Sequence, residues 1–435
     1  MKSLLIRAED KNIWESRAPL IPDQVKEILG ETGATAYVEK SEKRYFKDSA
    51  YEDCGAVLCD SMHPGDVIVG VKEIPEDKII DNKTYLFFSH TIKGQKSGMP
   101  LLRKIMAGGS TLIDYEKIVD DENRRLIYFG RYAGDAGAID ILSLMGEFWD
   151  YHGIKTPFSQ CRRAHEYDSV EDAKRHIRKI GDTIREEGLP EQLCPMVIGV
   201  MGYGNVSMGA QQIFDCLPTQ GVPPHELISF AKGGGGGDTR NVHVTVFKEK
   251  DLVKHIDGKS FDLQEYYNHP ERFVSRFEDY LPHMNILVNA VYWEKRYPRF
   301  VTWDGLKKAA EGFSQPKLQG IADISCDTNG SVECNVRSTD SGMPAYLCDP
   351  VRRTTTDGHR GDGIVLLAVD NLPCELPNDA STFFGDQLKK VVPNILEADY
   401  EGTLETSGLS PEVQNAVIVY RGALTASYQY LKAHL

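Results

Sequence analysis

Three successive apolar runs near the start of the chain each end in side chains that can donate or accept protons. In a parallel α/β sheet, ligands bind outside the carboxyl ends of the strands. A lysine, a histidine and carboxylates at neighbouring strand ends therefore predict one catalytic crevice, although charged residues also end strands at ordinary surfaces. The runs and the residues that follow them are Asp66–Val71 with Lys72 and Glu73, Thr84–Ser89 with His90, and Thr111–Ile113 with Asp114, Tyr115 and Glu116.

A glycine-containing turn later in the chain predicts a phosphate site. Residues Met196–Ala210 read MVIGVMGYGNVSMGA, an apolar strand that runs into a Gly-Tyr-Gly turn and then into a helical pattern. Gly202 permits the tight turn, Gly204 lets the backbone approach a pyrophosphate, and the helix N terminus offers N–H groups. Ser207 stands where a third glycine is usual, and its small side chain still allows close packing. We expect a dinucleotide at Gly202–Val206, with a purely structural turn as the alternative.

The residue at the end of the second strand of such a fold indicates whether NAD or NADP is the preferred cofactor. An acid there binds the ribose 2′-hydroxyl of NAD, whereas a basic residue suits the 2′-phosphate of NADP. We expect this strand near Glu226–Phe230, and it is followed by Ala231 and Lys232. With Arg240 nearby, Lys232 favours NADP, but a solvated loop lysine would give the same pattern, and NAD stays open.

Strand-like and helix-like segments alternate along the chain, which is typical of a parallel sheet flanked by helices. A chain of 435 residues is also too long for one ordinary core, so two or three domains are expected. The other predicted elements are a strand at Ser3–Ile6, a helix at Asp23–Leu29 that stops at Gly30, a strand at Ala34–Val38, a crossover helix at Ala138–Trp149, a helix that begins at Ser169, a strand at Gly320–Ile324 and, returning to the first domain, a strand at Gly363–Val369 with a helix near Asp379–Leu388.

The composition is typical of a globular protein, and the chain is acidic. Hydrophobic residues make up 41% and charged residues 26%, and the net charge of −14 argues against a nucleic-acid surface, because phosphate binding needs a basic face. The first residues are too polar for a signal-peptide core, and no stretch is apolar enough for a membrane span. The nine cysteines form no CxxC pair. Neither a zinc site nor a disulfide framework is therefore indicated, and we expect a cytoplasmic protein.

Longer motifs resemble one family. They are SRAPLIP (Ser16–Pro22), VKEIP (Val71–Pro75), FFSHTIKGQ (Phe87–Gln95), LIDYEKI (Leu112–Ile118), FGRYAGDAG (Phe129–Gly137), GDTRNVHV (Gly237–Val244), VNAVYWEKRYPRFVT (Val288–Thr302), ADISCDTNGSVE (Ala322–Glu333) and VDNLPCELPNDASTFFGD (Val369–Asp386). In order and length they resemble the alanine dehydrogenase/transhydrogenase superfamily. Within it, the chain is similar to lysine-forming saccharopine dehydrogenase and to the lysine–ketoglutarate reductase half of the bifunctional aminoadipate-semialdehyde synthases. Because the saccharopine-cleaving half has no counterpart here, we expect a free-standing reductase.

The resemblance implies an α/β fold of two Rossmann-like domains, with parallel sheets and a cleft between them. Residues 1–137 and about 340–435 would form the catalytic domain, and about 138–339 the dinucleotide-binding domain. It also implies the reaction: L-lysine and 2-oxoglutarate condense to an imine, which NADPH or NADH reduces to saccharopine. The expected partners are these small molecules, with no nucleic acid and no membrane.

The resemblance also assigns roles to single residues. Lys72 and His90 match the acid–base pair, which the chemistry requires because the attacking amine must lose a proton and the carbinolamine must lose water. Glu73 and Glu116 would tune this pair, and arginine suits the substrate carboxylates because its planar group binds them bidentately. Substrate-side positions are Arg17, Gln95, Arg125, Phe129 and Asn289; cofactor-side positions are Arg124, Gly204, Asn205, Ser325, Cys326 and Asp327, which join Gly202, Val206 and Lys232.

Other functions stay open at this level. An alanine dehydrogenase-like enzyme would use the same lysine and histidine on a single small amino acid. A catalytically silent dinucleotide sensor would not need both residues, and another opine-type condensation would differ only in the amine or the oxoacid. The sequence leaves the oligomeric state and the direction of flux undecided.

Overall fold

The strands of the chain form two eight-stranded sheets and a two-stranded sheet of β10 and β11 within the described residues. The computed structural model describes residues 2–233, 237–311 and 317–435, and the chain divides into two compact units, Met1–Phe129 with Pro377–Leu435 and Gly130–Leu376. The strands are β1 (Leu4–Ile6), β2 (Ala36–Glu39), β3 (Val57–Cys59), β4 (Val67–Val69), β5 (Thr84–Phe87), β6 (Thr111–Asp114), β7 (Met196–Met201), β8 (Thr219–Gly221), β9 (Val242–Phe247), β10 (Val253–His255), β11 (Phe273–Ser275), β12 (Ile286–Asn289), β13 (Gly320–Asp323), β14 (Ala345–Asp349), β15 (Thr354–Asp357), β16 (Ile364–Leu367), β17 (Val417–Tyr420) and β18 (Ala423–Leu424).

Helices alternate with these strands, as the sequence pattern predicts. They are α1 (Pro22–Thr32), α2 (Asp48–Asp53), α3 (Met99–Ala107), α4 (Tyr132–Tyr151), α5 (Val170–Glu187), α6 (Asn205–Phe214), α7 (Pro224–Lys232), α8 (Glu249–Leu252), α9 (Leu263–Asn268), α10 (Trp303–Ala310), α11 (Pro377–Leu388), α12 (Val392–Glu397) and α13 (Pro411–Ala416). The predicted cap of α5 is present, since the Ser169 hydroxyl accepts the N–H of Asp172.

The first unit contains one sheet in the order β18-β17-β6-β5-β4-β1-β2-β3. Strands β1 to β6 are parallel to their neighbours, whereas β17 and β18 add an antiparallel edge beside β6. The parallel part has the strand order of a Rossmann fold, and its direction of winding reverses between β1 and β4. A ligand site is therefore expected at the carboxyl ends of these two strands.

The second unit contains a separate sheet in the order β15-β14-β16-β13-β12-β7-β9-β8. Six neighbouring strands are parallel, in the order β16-β13-β12-β7-β9-β8. Strands β14 and β15 form an antiparallel edge beside β16. Strand β7 lies between β9 and β12, which again marks a reversal point. Two α/β units of Rossmann type are thus confirmed, but each sheet is mixed and not wholly parallel.

Helices α4 and α6 of the second unit pack with unusually close backbones. A Cβ atom added to Gly134 on α4 would lie 1.8 Å from the carbonyl oxygen of Val206, and one added to Gly209 would lie 2.2 Å from that of Arg131. Only glycine fits either position. This contact fixes the start of α6, which is the element that carries the predicted phosphate turn.

Two predicted elements are wrong. The segment Glu226–Phe230 is not a strand, because it lies within α7, which starts with a proline at its first turn as helices often do. A short apolar run is compatible with either a strand or a helix. The strand that pairs with β7 at this position is β9. The segment Gly363–Val369 does form a strand, but β16 pairs with β13 in the second sheet and does not return to the first unit.

Boundaries also differ in places. Helix α1 continues through Gly30, because a single glycine inside a helix costs only about 1 kcal/mol, and it ends at Gly33, where φ is 67°. The chain re-enters the first unit at Pro377, later than the expected residue 340. None of the helices within the described ranges is both long enough and apolar enough to cross a membrane.

Candidate functional site

The backbone of Lys72 is held by residues that follow the neighbouring strand. Glu9, three residues after β1, accepts the N–H of Val71 at 2.7 Å and the N–H of Lys72 at 3.0 Å. Arg7 donates to the carbonyl oxygen of Lys72 at 3.3 Å. Burial raises the pKa of Glu9, and Arg7, 3.7 Å away, only partly opposes this. The sequence analysis missed Glu9. Its only signal in the sequence is its position, an acid three residues after β1, which lies at the reversal point of the strand order.

His90 and Glu73 are in direct contact. Nδ1 of His90 lies 3.1 Å from one carboxylate oxygen of Glu73, and Lys11 donates to the other oxygen. Although burial opposes its ionisation, hydrogen bonds with His90 and Lys11 hold the pKa of Glu73 well below its usual range. His90 has a left-handed φ of 52° and is exposed. The carboxylate therefore fixes one ring nitrogen and leaves the imidazole accessible.

Arg17 is buried and already engaged. Its Nε and Nη2 donate to the two oxygens of Glu15 at 2.7 and 2.5 Å, and only 2% of the residue is exposed. Its guanidinium carbon lies 4.1 Å from the ring centroid of Phe129, which stacks on Phe384 at 4.5 Å. The structure thus brings the predicted Arg17 and Phe129 together, and adds Glu15, which the sequence analysis missed.

The remaining predicted residues of the first unit lie on its surface. Arg125 donates to Glu116 and keeps 53% of its side chain exposed. Arg124 pairs with Asp120 at 2.8 Å and is 70% exposed. Gln95 is exposed in the loop after β5. The roles of Arg124 and Gln95 stay predictions.

Buried Asp114 connects the ends of β5 and β6. It accepts the N–H of Ser89 at 3.0 Å and that of Glu116 at 2.8 Å. Desolvation raises its pKa despite these hydrogen bonds. Asp114 therefore supports the segments that carry His90 and Glu116.

A cavity of about 540 Å³ opens beside the ends of β1 and β2 in the first unit. Its lining includes Arg7, Glu9, Asn12, Glu39 and Lys78. Small-molecule sites commonly have volumes of about 300–1,000 Å³, so this edge of the sheet has room for an amino acid with charges of both signs.

The glycine turn in the second unit has the geometry that a dinucleotide needs. Gly202 has a φ of 95°, and a Cβ atom there would lie 2.9 Å from the carbonyl oxygen of Ala290. Around Gly204 nothing lies within 4 Å of the Cβ position, so open space faces the start of α6 at Asn205. Ser207 is buried and donates to the carbonyl oxygen of Gly202 at 2.7 Å. The residues present therefore fit a pyrophosphate at this turn.

The residue that follows the strand next to β7 is not Lys232. Lys232 is the exposed last residue of α7, so its assignment to a strand end is wrong. Strand β9 instead leads to Lys248 and Glu249, and Glu249 accepts hydrogen bonds from the phenol of Tyr203 at 3.4 Å and from that of Tyr267 at 2.8 Å. The sequence analysis missed Glu249, because it placed the second strand too early.

The predicted residue Asn289, on β12, belongs to a compact buried network whose other members the sequence analysis missed. Asn289 is fully buried and donates to Asp323 at 2.7 Å and to Ser331 at 2.8 Å. Asn335 donates to the other oxygen of Asp323 at 2.7 Å, and burial raises the pKa of Asp323 to about 6. These contacts fix the carboxyl end of β12, which lies beside β7, and that of β13, the next strand of the sheet.

The segment after β13 is tied to its neighbours. Ser325 donates to the carbonyl oxygen of Val291 at 2.6 Å. Cys326 has a φ of 54° and lies 2.9 Å from the carbonyl oxygen of Ala368, and burial raises the pKa of its thiol to about 12. Asp327 follows on the surface. The loop is thus shaped by its own hydrogen bonds, and its contact with a cofactor stays a prediction.

Comparisons with known proteins agree with this architecture. Residues 5–136 match the family described as alanine dehydrogenase/PNT, N-terminal domain. A solved L-alanine dehydrogenase superposes with a TM-score of 0.60 at 16% identity, covering 99% of both chains. This likeness defines the class of fold, a pair of Rossmann-type units of the alanine dehydrogenase kind.

Curated relatives narrow the class. The mitochondrial alpha-aminoadipic semialdehyde synthase of Rattus norvegicus is 38% identical over 443 residues, which cover 99% of this chain and 47% of that protein. The NAD(+), L-lysine-forming saccharopine dehydrogenase of Yarrowia lipolytica is 26% identical over 92% of this chain and 93% of its own length. The chain thus spans about half the length of the synthases it matches. The resemblance of the whole chain to these synthases and to the saccharopine dehydrogenases is confirmed.

Proposed function

We propose that this chain catalyses the reductive condensation of L-lysine with 2-oxoglutarate to saccharopine, with a nicotinamide dinucleotide as reductant. The observation that carries this proposal is the similarity to a lysine-forming saccharopine dehydrogenase over 92% of this chain. The position of Lys72 and Glu73 after β4 and of His90 after the neighbouring strand β5 supports it. The similarity to the synthases, which covers 99% of this chain, supports the same reaction.

Proton transfer is the task that we assign to Lys72 and His90. A neutral amine must attack the ketone carbon of the oxoacid, and the resulting carbinolamine must lose its hydroxyl as water, so one group takes a proton and another gives one. Glu73 orients the imidazole through Nδ1 at 3.1 Å, and Glu9 holds the Lys72 backbone. When bound at Gly202–Val206, the dinucleotide supplies the hydride.

Substrate carboxylates require positive charge within an acidic chain. We propose that exposed Arg125, positioned by Glu116, binds one of them together with Gln95. For Arg17, burial and its two hydrogen bonds with Glu15 support a different task, which is to hold the ring of Phe129 against the substrate side. Asn289 and the Ser325–Asp327 loop would shape the nicotinamide side through the network at Asp323.

A substrate-matrix assay tests the reaction. The full chain is mixed with NADH or NADPH and with lysine, 2-oxoglutarate or both, while the absorbance of the reduced nicotinamide is followed. We expect oxidation only when both substrates are present, and saccharopine should be found by mass spectrometry. An alanine dehydrogenase-like enzyme would instead respond to pyruvate with ammonia, and that result would refute the proposal.

We also propose a cytoplasmic location. None of the nine cysteines, all of which lie in the described part of the chain, forms a disulfide bond, which suits a reducing cytoplasm. The synthases of Rattus norvegicus and Mus musculus are named as mitochondrial proteins.

A further inference from the structure

We propose that Tyr430 positions the loop that follows His90 for the binding of a substrate carboxylate. This loop, Thr91–Gly98, carries Gln95, and Tyr430 belongs to the C-terminal segment Ala426–Leu435. The inference rests on the proposed reaction, because it gives the C-terminal segment a task in substrate binding. Tyr430 acts through the loop and does not itself touch the substrate.

The loop is anchored at its start but exposed where it carries Gln95. Thr91 is fully buried, and its hydroxyl lies 2.7 Å from that of Ser89. The chain then turns, and the N–H of Gly94 donates to the carbonyl oxygen of Thr91 at 2.9 Å. The side chains of residues 95–97 are exposed, so burial in the core does not set the position of Gln95.

The C-terminal segment contacts this loop directly. The phenol of Tyr430 donates to the carbonyl oxygen of Ile92 at 2.6 Å, within the range of about 2.5–3.0 Å that is usual for O–H···O hydrogen bonds. Ile92 lies three residues before Gln95, on the turn that closes at Gly94. The hydrogen bond therefore fixes the backbone that leads into Gln95.

Other contacts join the same two segments. A Cβ atom added to Gly94, whose φ is 66°, would lie 2.6 Å from the ring of His434, so this ring lies close against the turn. On α3, the helix that follows the loop, Arg103 donates to the backbone oxygen of Leu435 at 2.7 Å. The C-terminal segment thus contacts both the turn before Gln95 and the helix after it.

The segment that carries Tyr430 is itself anchored in the core of the first unit. Leu431 is fully buried, and Tyr428 is 5% exposed. The phenol of Tyr428 donates to the carbonyl oxygen of Asn415 on α13 at 2.8 Å. Because these contacts hold the segment on both sides of Tyr430, its hydroxyl is a fixed point for the exposed loop.

A loop that is held in place beforehand binds a ligand at a lower cost. An exposed loop loses conformational freedom when it binds, and a positioned loop has less to lose. The side-chain amide of Gln95 has two N–H donors, which suit a carboxylate. Tyr430 belongs to the first unit and Gly202–Val206 to the second, so we expect its effect on the KM of a substrate and not on dinucleotide affinity.

Steady-state kinetics on the full chain test this role with Tyr430→Phe, which removes only the hydroxyl. We expect KM for lysine or for 2-oxoglutarate to rise by about two- to tenfold, the usual effect of losing one hydrogen bond, while kcat and NADH affinity stay near those of the wild type. Wild-type KM values for both substrates in Tyr430→Phe would overturn the proposal.

The matched control is Tyr420→Phe. The phenol of Tyr420, on β17 of the same unit, donates to the carbonyl oxygen of Gly402 at 3.4 Å, so the same substitution removes a hydroxyl that does not contact the loop. Its KM values should equal those of the wild type.

A double-mutant cycle with Gln95→Ala separates positioning from a general loss of stability. If Tyr430 acts through Gln95, Tyr430→Phe should change KM little once Gln95 has been removed, because residues that act as a unit are not additive. Equal effects of Tyr430→Phe with and without Gln95 would overturn the positioning role.

Hydrogen exchange tests the contact without turnover. Peptides that cover Thr91–Gly98 should exchange faster in Tyr430→Phe and in His434→Ala than in the wild type and in Tyr420→Phe, because a released loop opens more readily. Unchanged exchange in both variants of the C-terminal segment would overturn the proposal. A wild type without turnover of lysine and 2-oxoglutarate would refute the proposed reaction, whereas normal turnover with unchanged exchange and KM in Tyr430→Phe would refute only the role of Tyr430.

Discussion

The backbone of Lys72 is held by two side chains that follow the neighbouring strand β1. Glu9 and Arg7 bind its N–H and its carbonyl oxygen, so the lysine is presented at the end of β4 in a fixed position. Because a general acid–base group contributes about 10²–10⁴-fold to rate, we expect Lys72→Met to lose turnover by this factor while NADH binding persists. Steady-state kinetics and NADH titration measure the two effects.

The matched control for that prediction is Lys104→Met. Lys104 on α3 keeps 43% of its side chain exposed and pairs with Asp81 at 3.3 Å, so its loss should leave turnover near that of the wild type. Near-normal turnover in Lys72→Met would remove this lysine from the mechanism.

Arg17 and Arg125 should behave differently, although the sequence gives them the same role. Removing one partner of a buried ion pair costs about 3–5 kcal/mol, so Arg17→Ala should lower the free energy of unfolding by about that much, because the buried carboxylate of Glu15 loses its two hydrogen bonds with Arg17. Exposed Arg125 should change stability by less than about 0.5 kcal/mol. Arg125→Ala should instead raise KM for 2-oxoglutarate or lysine by about tenfold or more.

Urea denaturation and steady-state kinetics on the two arginine variants separate these effects. A fully stable Arg17→Ala protein that had lost only substrate affinity would return Arg17 to direct substrate binding.

Glu73 predicts a pH dependence of stability. Its pKa is lowered in the folded protein, so ionised Glu73 contributes stability above its ordinary pKa of about 4.3, and this contribution fades as the pH falls toward the lowered value. The melting temperature of Glu73→Gln should therefore lie furthest below that of the wild type near neutral pH. Thermal melts across an acidic pH series measure the gap, and a gap that widened toward acid would contradict the proposed pairing with His90 and Lys11.

At the scale of single elements, a substitution at the start of α6 can block dinucleotide binding without disturbing the fold. Gly204 has an ordinary negative φ of −78° and open space at its Cβ position. Gly204→Val should therefore fold normally and block the pyrophosphate, with NADH affinity reduced by at least tenfold. Gly221→Val on β8, which also meets nothing within 4 Å, is the control, and unchanged NADH affinity in Gly204→Val would refute the site.

Much of this architecture is predictable from the sequence, for identifiable reasons. Strands β4, β5 and β6 are short, wholly buried runs followed by charged residues, and α5 has a serine cap and a regular apolar face. The turn at Gly202 is recognisable because strand, glycines and helix occur in the required order.

Other features depend on pairings that are distant in sequence. The second strand is predicted at Glu226–Phe230, within α7, and not at β9, because a short apolar run is compatible with either structure. The contacts of Glu9 with Val71 and of Glu15 with Arg17 involve side chains whose burial no local pattern reveals. Glu249 becomes recognisable only when β9 is known to lie beside β7.

At the scale of the whole molecule, the two units differ in how the chain builds them. The second is one continuous segment with its own eight-stranded sheet, so we expect residues 130–376 produced alone to fold and to bind NADH. The first unit is discontinuous, and its strand β6 pairs with β17. Residues 1–129 produced alone should therefore be poorly folded, with an exposed strand edge.

Circular dichroism, size-exclusion chromatography and NADH titration test the two fragments. A cooperative thermal transition in residues 1–129 alone would contradict the expected dependence on β17. An unfolded 130–376 fragment would show that its sheet and core are not sufficient.

The late arrival of β17 has a consequence for synthesis of the protein. About 300 residues separate the end of β6 from Val417, and ribosomes add about 5–20 residues per second. For about 15–60 s the edge of β6 is without the strand that covers it, which is the kind of surface that pairs with other nascent chains. During that interval the second unit can already complete its sheet, so translation should finish the dinucleotide-binding unit before the one that carries Lys72.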